Sequence, residues 1–302
     1  MRRACDIARR SHALRCDVVP RKWEDGMLAR RWVRTAAIGA VGLLVLVLLA
    51  LATPFMFRLT GQDGRISLPT KTTFTAGSYY AFANPWAVQE RSLLGLWSRK
   101  SESIWIDHRA FPDHTRVNWA WPPFSPRNGV GVWGYHHIGY GNYDGGSPEK
   151  PVPPLQVKQI RALNTAFAWD ADFTFGESTL LTEFYLRSNP QNMESKVLEV
   201  GWLLHISPEI EKFLRQCKPL GTYTDANGRR WNVKISEKYL TFSPADGRDL
   251  KAGRIDMLHA LHWLKSRGRV TGDEWVTGVA VGVEPIKGFG HTEIKHWKVD
   301  FR

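Results

Sequence analysis

Short runs in which apolar and polar residues alternate recur from about residue 77 to the C-terminus, separated by clusters of Gly, Pro, Asn and Asp. That alternation is the pattern of β-strands with one buried face. Residues 222–224 and 230–235 flank Asp225-Ala226-Asn227-Gly228, which predicts a hairpin with Trp231, Val233 and Ile235 on one face. A single stretch, 255–266, has helical spacing: Ile255, Leu258, Leu261 and Leu264 recur every third residue, and Gly268 is its expected stop. Many strands and one short helix predict an all-β body, a two-sheet β-jelly-roll sandwich, preceded by an N-terminal hydrophobic helix. No repeat of 20–50 residues is visible, which disfavours propellers and solenoids. The proline-rich stretch 148–154 reads as a loop inside one domain.

Three strands can be assigned a core face by period two. In 197–205, Leu198, Val200, Trp202 and Leu204 form the apolar face, so Glu199 projects from the other side together with His205. In 180–186, Leu180, Thr182, Phe184 and Leu186 oppose Leu181, Glu183 and Tyr185. In 275–284, Trp275, Thr277, Val279, Val281 and Val283 form the core face, leaving Val276, Gly278, Ala280, Gly282 and Glu284 opposite. Glycine weakens a strand interior, and close approach of a ligand is one reason to find it there. Glu183, Glu199 and Glu284 are thus candidates to share the non-core face of a curved sheet. Each also reads as an ordinary solvated strand residue, because sequence alone does not set the strands side by side.

The first 57 residues change the picture of location. Residues 35–57 hold no charged side chain, and 23 residues at about 1.5 Å each cross a hydrocarbon layer of about 30 Å. Arg30, Arg31 and Arg34 precede the run, which orients the N-terminus to the cytoplasm. Ala50-Leu51-Ala52 is also the small-x-small pattern of a signal-peptidase site, and Met27 is a possible start of an ordinary export signal. A cleaved signal peptide and an uncleaved anchor both remain open, with a buried helix of a soluble protein as the lesser alternative. In either of the first two the body is exported: secreted or periplasmic, or anchored in the inner membrane by 35–57 with the following domain outside the cytoplasm. The expected organisation is a basic N-terminus with signal or anchor over 1–57, a linker or edge strand over 58–76, and one domain over 77–302.

Composition narrows the function classes. The 302 residues carry a net charge of +12, but ten Lys/Arg against four acids in residues 1–34 account for half of it. The body lacks the concentrated basic face of a nucleic-acid binder. Three cysteines, Cys5, Cys16 and Cys217, make no disulfide framework. Fourteen tryptophans exceed ordinary usage, and such rings pack cores or stack on flat ligands. Trp202, Trp231 and Trp275 read as core; Trp86, Trp97, Trp121 and Trp133 read equally as core or as platforms for sugar rings. Paired carboxyls beside such platforms fit glycoside hydrolysis, in which one protonated carboxyl serves the leaving oxygen and one ionised carboxyl serves the anomeric carbon. His136 and His137 with His108 or His114 offer a metal-site reading, but their spacing matches no ligand motif, and they read rather as residues lining a cleft or lying on the surface. No cofactor or metal is expected.

The ordered motifs resemble glycoside hydrolase family 12, the retaining β-1,4-endoglucanases and xyloglucanases. The resemblance runs from about Ser78 to Arg302: Tyr-Tyr-Ala-Phe-Ala-Asn-Pro-Trp at 79–86, Asn118-Trp119-Ala120-Trp121, Val132-Trp133-Gly134-Tyr135, Leu-Thr-Glu-Phe-Tyr-Leu-Arg-Ser-Asn-Pro at 181–190, Leu-Glu-Val-Gly-Trp-Leu at 198–203, and Gly282-Val283-Glu284-Pro285 with Gly288. It implies a concanavalin-like jelly roll acting on β-glucan as a monomer, with cellulose, xyloglucan and mixed-linkage glucan all open as substrates. It also implies Glu199 as nucleophile, Glu284 as acid/base and Glu183 in place of the family's Asp beside the nucleophile. Asn84 and Trp86 take the distal sugar-binding positions, with Trp121, Trp133, Tyr135 and His205 as further candidates in the groove. The chain departs from the family at His136, where Pro is common, and at Gly201, where Met is common and whose loss is expected to open the cleft floor. The alternative from a different class is a non-catalytic carbohydrate-binding jelly roll of the cell envelope.

Overall fold

The structure, a computed structural model, describes residues 32–49, 64–89 and 92–302. The basic segment before Trp32, the Ala50-Leu51-Ala52 pattern, the end of the apolar run and Cys5 and Cys16 lie outside the described residues. The chain divides into two compact units, Met1–Ala52 and Thr53–Arg302. In the first, Trp32–Leu49 forms helix α1, long and apolar enough to cross a membrane.

The described part of the second unit begins with strands β1 (Ile66–Pro69), β2 (Thr73–Ala76) and β3 (Tyr79–Asn84), so the expected linker carries two strands in its described part. Helix α2 (Leu93–Ser101) leads to β4 (Ser103–Ile106), β5 (Thr115–Ala120), β6 (Tyr135–Gly141) and the short β7 (Leu155–Gln156). A 25-residue strand, β8 (Leu163–Arg187), precedes β9 (Lys196–His205) and helix α3 (Pro208–Gln216). The order continues β10 (Lys218–Thr224), β11 (Arg230–Ser236), β12 (Tyr239–Pro244), β13 (Ala252–Asp256), helix α4 (Met257–Ser266), β14 (Trp275–Val276) and β15 (Gly278–Phe301).

The long antiparallel pair β8 and β15 belongs to both layers. Its outer half, Leu163–Phe175 against Phe289–Phe301, joins β5, β4 and β1 on one side and β13 on the other. Its inner half carries β6, β3 and β2 beyond β15, and β9, β12, β11 and β10 beyond β8. Between the halves, Gly288 adopts φ +65°, and a Cβ there would overlap the Phe175 carbonyl, so the bend requires glycine. Phe167, Trp169 and Trp297 from the outer half and Leu180, Phe184, Val281 and Val283 from the inner half share one core. The two-layer β-jelly-roll expected from the strand pattern is therefore present. Trp202 is fully buried there, stacked on Phe242 at 4.7 Å and 7°.

Two expectations about local structure need correction. The body has three α-helices among the described residues, not one. The two unforeseen helices are each nine residues long, too short for a strong period, yet both start at a serine cap: Ser92 accepts from Gly95 N–H and Ser207 from Ile210 N–H. The foreseen helix begins two residues late, because Ile255 pairs with Thr165 in β13 and Asp256 is the cap. The face assignment of 275–284 also breaks at its start. Trp275 and Val276 pair separately as β14, so Val276 enters the core and Trp275 is half-buried, and the expected alternation holds from Val279 onward. The glycines on the opposite face serve protein packing: a Cβ at Gly282 would come within 2.6 Å of the His136 carbonyl and the Tyr135 ring.

Candidate active site

Glu183, Glu199 and Glu284 come from three adjacent strands of the inner layer. β8 lies between β15 and β9, and along it Glu183 stands opposite Ala280 on one side and Gly201 on the other. Glu199 stands opposite Tyr185, and Glu284 opposite Thr179. The reverse faces of these strands supply Leu180, Phe184, Val200, Trp202, Val281 and Val283 to the core. Burial of those side chains drives the carboxylates to the concave side.

There the three carboxyls line one cavity of about 260 Å³. Asn84 and Trp86 reach it from the end of β3, Tyr135 and His137 from β6, Tyr143 and Asp144 from the following turn, Tyr185 from β8 and Tyr239 from β12. Tyr143 donates its hydroxyl to Glu183 and lies 3.4 Å from the Tyr185 hydroxyl. Trp86 is 45% exposed, so its ring is open to a flat partner.

Burial pushes the Glu183 carboxyl well above the ordinary carboxylate range, and the charges of Glu199 and Glu284 push it further. Glu199 is also raised, first by burial, while its hydrogen bond with Glu183 and the charge of Lys196 pull the other way. A protonated Glu183 donating to an ionised Glu199 satisfies both, since the pair shares one proton. Burial and then the charge of Glu199 raise Glu284 to about 8. All three carboxyls are thus held above the ordinary carboxylate range, and Glu284 keeps its proton through neutral pH.

Of the nine residues expected at the site, the fold gathers six around this cavity: Glu183, Glu199, Glu284, Asn84, Trp86 and Tyr135. Trp121 and Trp133 are not sugar platforms. They are 4% and 3% exposed and stack on each other at 4.5 Å and 7°. His205 lies outside the cavity lining, paired with Asp249 at 2.8 Å and stacked on Phe173 at 4.5 Å. A register shift between Leu180 and Leu181 separates it from the alternation that places Glu199. Trp97 is also packed against the core, its indole donating to the Ala120 carbonyl at 2.6 Å.

Five cavity residues are not signalled by the sequence as ligand contacts: Val130, Tyr143, Asp144, Tyr185 and Tyr239. Period two on β6 already separates the histidine pair. His136 turns inward to Glu102 at 2.8 Å, while His137 faces the cavity with Nδ1 on the Tyr135 carbonyl at 3.1 Å. Burial lowers His137 to about 4, which keeps it neutral in ordinary buffer. His114 lies 3.5 Å from Glu293, away from both, and among the described residues no group of three or more His, Cys, Asp or Glu side chains assembles as a metal site. Gly201 does not open the floor. A Cβ there would sit 3.3 Å from the Tyr239 hydroxyl, so the tyrosine ring from β12 fills the space that the missing side chain leaves.

No protein-family model and no curated protein sequence matches this chain. Solved structures do. The endo-1,4-β-glucanase CelB2 covers 78% of this chain with 99% of its own, at a TM-score of 0.60 and 17% identity. The fold is that of the family 12 glycoside hydrolases. The family 12 xyloglucanase of Bacillus licheniformis covers 79% with 100% of its own, at 0.59 and 17%. Endoglucanase 3 of Trichoderma harzianum, from the same family, covers 79% with 98% of its own, at 0.57 and 17%. The likeness spans the jelly roll nearly end to end, although fewer than one residue in five is shared.

Proposed function

We propose that this chain is a family 12 glycoside hydrolase, an endo-acting enzyme that cleaves β-1,4-glucan with retention of configuration. The observation that carries the proposal is the cavity into which Glu199 and Glu284 both point, with Glu183 on the strand between them. Glu199 attacks the anomeric carbon while Glu284 gives its proton to the departing sugar oxygen. Glu284, now ionised, then takes a proton from water, and that water releases the sugar from Glu199. Retention by this route places the carboxyls about 5–5.5 Å apart. Glu183 holds Glu199 in position through their shared proton, and Tyr143 holds Glu183. Trp86 offers its exposed face to a sugar ring, and Asn84, whose Oδ1 accepts from Lys71 at 2.8 Å, offers its remaining polar atoms to hydroxyls.

A carbohydrate-binding jelly roll without chemistry has no use for three buried carboxyls that strain one another's ionisation, and no feature of the cavity favours that alternative. The apolar helix α1 fits an export signal or anchor, which leaves the glucanase body outside the cytoplasm, where polymeric glucan is found.

The test is hydrolysis of carboxymethylcellulose, xyloglucan and mixed-linkage β-glucan, with the first-formed anomer followed by proton NMR. We expect internal cuts in at least one polymer and β-product before mutarotation. No new reducing ends on any of the three, or α-product first, would refute the proposal. The pH profile carries a sign of its own. Activity requires Glu199 ionised, so kcat/KM rises as pH climbs through the titration of the Glu183/Glu199 pair. It also requires Glu284 protonated, so kcat/KM falls as pH passes about 8. A basic limb below pH 6 would contradict the burial of Glu284.

A further inference from the structure

The cleft holds more charge than the double displacement uses. Asp144, on the turn after β6 with φ +49°, forms a close ion pair with Lys196, and Arg187 Nη2 lies 3.7 Å from the same Asp144 oxygen. The two cations stand opposite each other at the paired ends of β8 and β9. Both lie over the ring of Tyr185, Lys196 Nζ at 3.9 Å from its centroid and Arg187 Cζ at 5.2 Å. Arg187 is fully buried and donates to the Met193 carbonyl. Tyr185 is the cross-strand partner of Glu199 and stacks on Tyr143 at 5.1 Å and 21°; Tyr143 in turn holds Glu183. Contacts therefore run without a break from Lys196 to the carboxyl pair.

An exposed Lys–Asp pair contributes little to stability, and the chemistry of two carboxyls asks for no lysine. Yet Lys196 sits three residues before Glu199 on the same strand, clamped between an acid and an aromatic ring. We propose that Lys196 is a positioning residue for the glycosidase reaction: bridged to Asp144 over Tyr185, it ties the turn at 142–147 to the nucleophile strand and presents positive charge to Glu199.

This inference rests on Glu199 acting as nucleophile. The titratable and charged groups packed around Glu199 are Glu183, Tyr185 and Arg187 from β8, Tyr143 and Asp144 from the turn, Tyr135 and His137 from β6, Tyr239 from β12 with Lys238 just before it, and Glu284 from β15. Among them the acids outnumber the cations at the cavity wall. Lys196 favours the Glu199 anion and Asp144 opposes it. Loss of the lysine leaves burial and Asp144 opposing the Glu199 anion, with only the hydrogen bond to Glu183 still favouring it.

The experiment is the pH dependence of kcat and KM on soluble β-glucan for the wild type, Lys196→Met, Lys196→Gln and Lys196→Arg, with Glu199→Gln alongside. In Lys196→Met and Lys196→Gln we expect the acid limb to move up by about one pH unit and kcat to fall more than KM changes. Lys196→Arg, which keeps the charge, should restore the wild-type limb, and the basic limb should stay in place throughout. An acid limb unmoved in both neutral variants overturns the proposal, as does a limb that arginine fails to restore. If Met unfolds the protein, the Gln variant decides. The two levels separate cleanly. An active Glu199→Gln defeats the glycosidase assignment itself, whereas an inactive Glu199→Gln with an unmoved limb in the Lys196 variants defeats only the role of Lys196.

Discussion

Glu199→Gln and Glu284→Gln are each expected to abolish the release of reducing ends from soluble β-glucan, by roughly 10⁴-fold or more in kcat, while the folded structure survives. The amide keeps the shape of each side chain and removes what the chemistry needs. In Glu199→Gln no charge is left to attack the anomeric carbon, and in Glu284→Gln no labile proton is left to give. Neither change exposes core surface, since both side chains lie on the concave face and the apolar residues of their strands point the other way. Thermal unfolding near the wild-type midpoint, measured beside the reducing-end assay, distinguishes lost chemistry from lost fold. The two variants also differ from each other. An aryl glycoside whose leaving group needs no protonation should form the covalent intermediate on Glu284→Gln, and azide, which needs no general base, should then release it. Neither reagent helps Glu199→Gln. Near-normal turnover by either variant on polymer would remove the two-carboxylate mechanism.

Trp202→Ala costs about 3–5 kcal/mol of folding stability, a large share of the roughly 5–15 kcal/mol that holds a typical domain together. Trp202 occupies the reverse face of the strand that carries Glu199, fully buried, stacked on Phe242 at 4.7 Å and tilted against Phe184 at 5.8 Å. Alanine leaves a void between the two layers that the strands cannot close, because β9 is hydrogen-bonded to β8 on one side and to β12 on the other. The indole N–H has no hydrogen-bond partner, so Trp202→Phe removes volume alone and should lose distinctly less. Urea unfolding of the pair at one pH measures the difference. Equal stability for Trp202→Ala and the wild type would mean that the core under Glu199 contributes nothing to the sheet.

Much of this arrangement was legible in one dimension. Period-two alternation in 197–205 and 180–186 assigned Glu199 and Glu183 to the face opposite Trp202 and Phe184, and the structure keeps those faces. The hairpin at 225–228 was equally plain, because Asn-Gly and its flanking strands are local features; β10 and β11 pair across it. Trp121 and Trp133 were not decidable from their own neighbours. A tryptophan on a strand has one signature whether its face meets sugar or another indole, and here the stack between two separate segments fills both. His205 failed for a related reason: one register shift after Leu180 breaks the alternation that would have placed it with Glu199.

The sequence by itself determined which side chains can be buried and which strands carry acid on the opposite face, because alternation and turn chemistry act over a few residues. Tertiary structure decided that three acids 101 positions apart at their extremes, Glu183 to Glu284, stand on adjoining strands around one cavity. It also decided which tyrosines close that cavity and that Lys196 meets Asp144. The physical reason is that a carboxyl's ionisation depends on desolvation and on charges a few ångströms away, and both are set by strand order and bends rather than by neighbours in the chain.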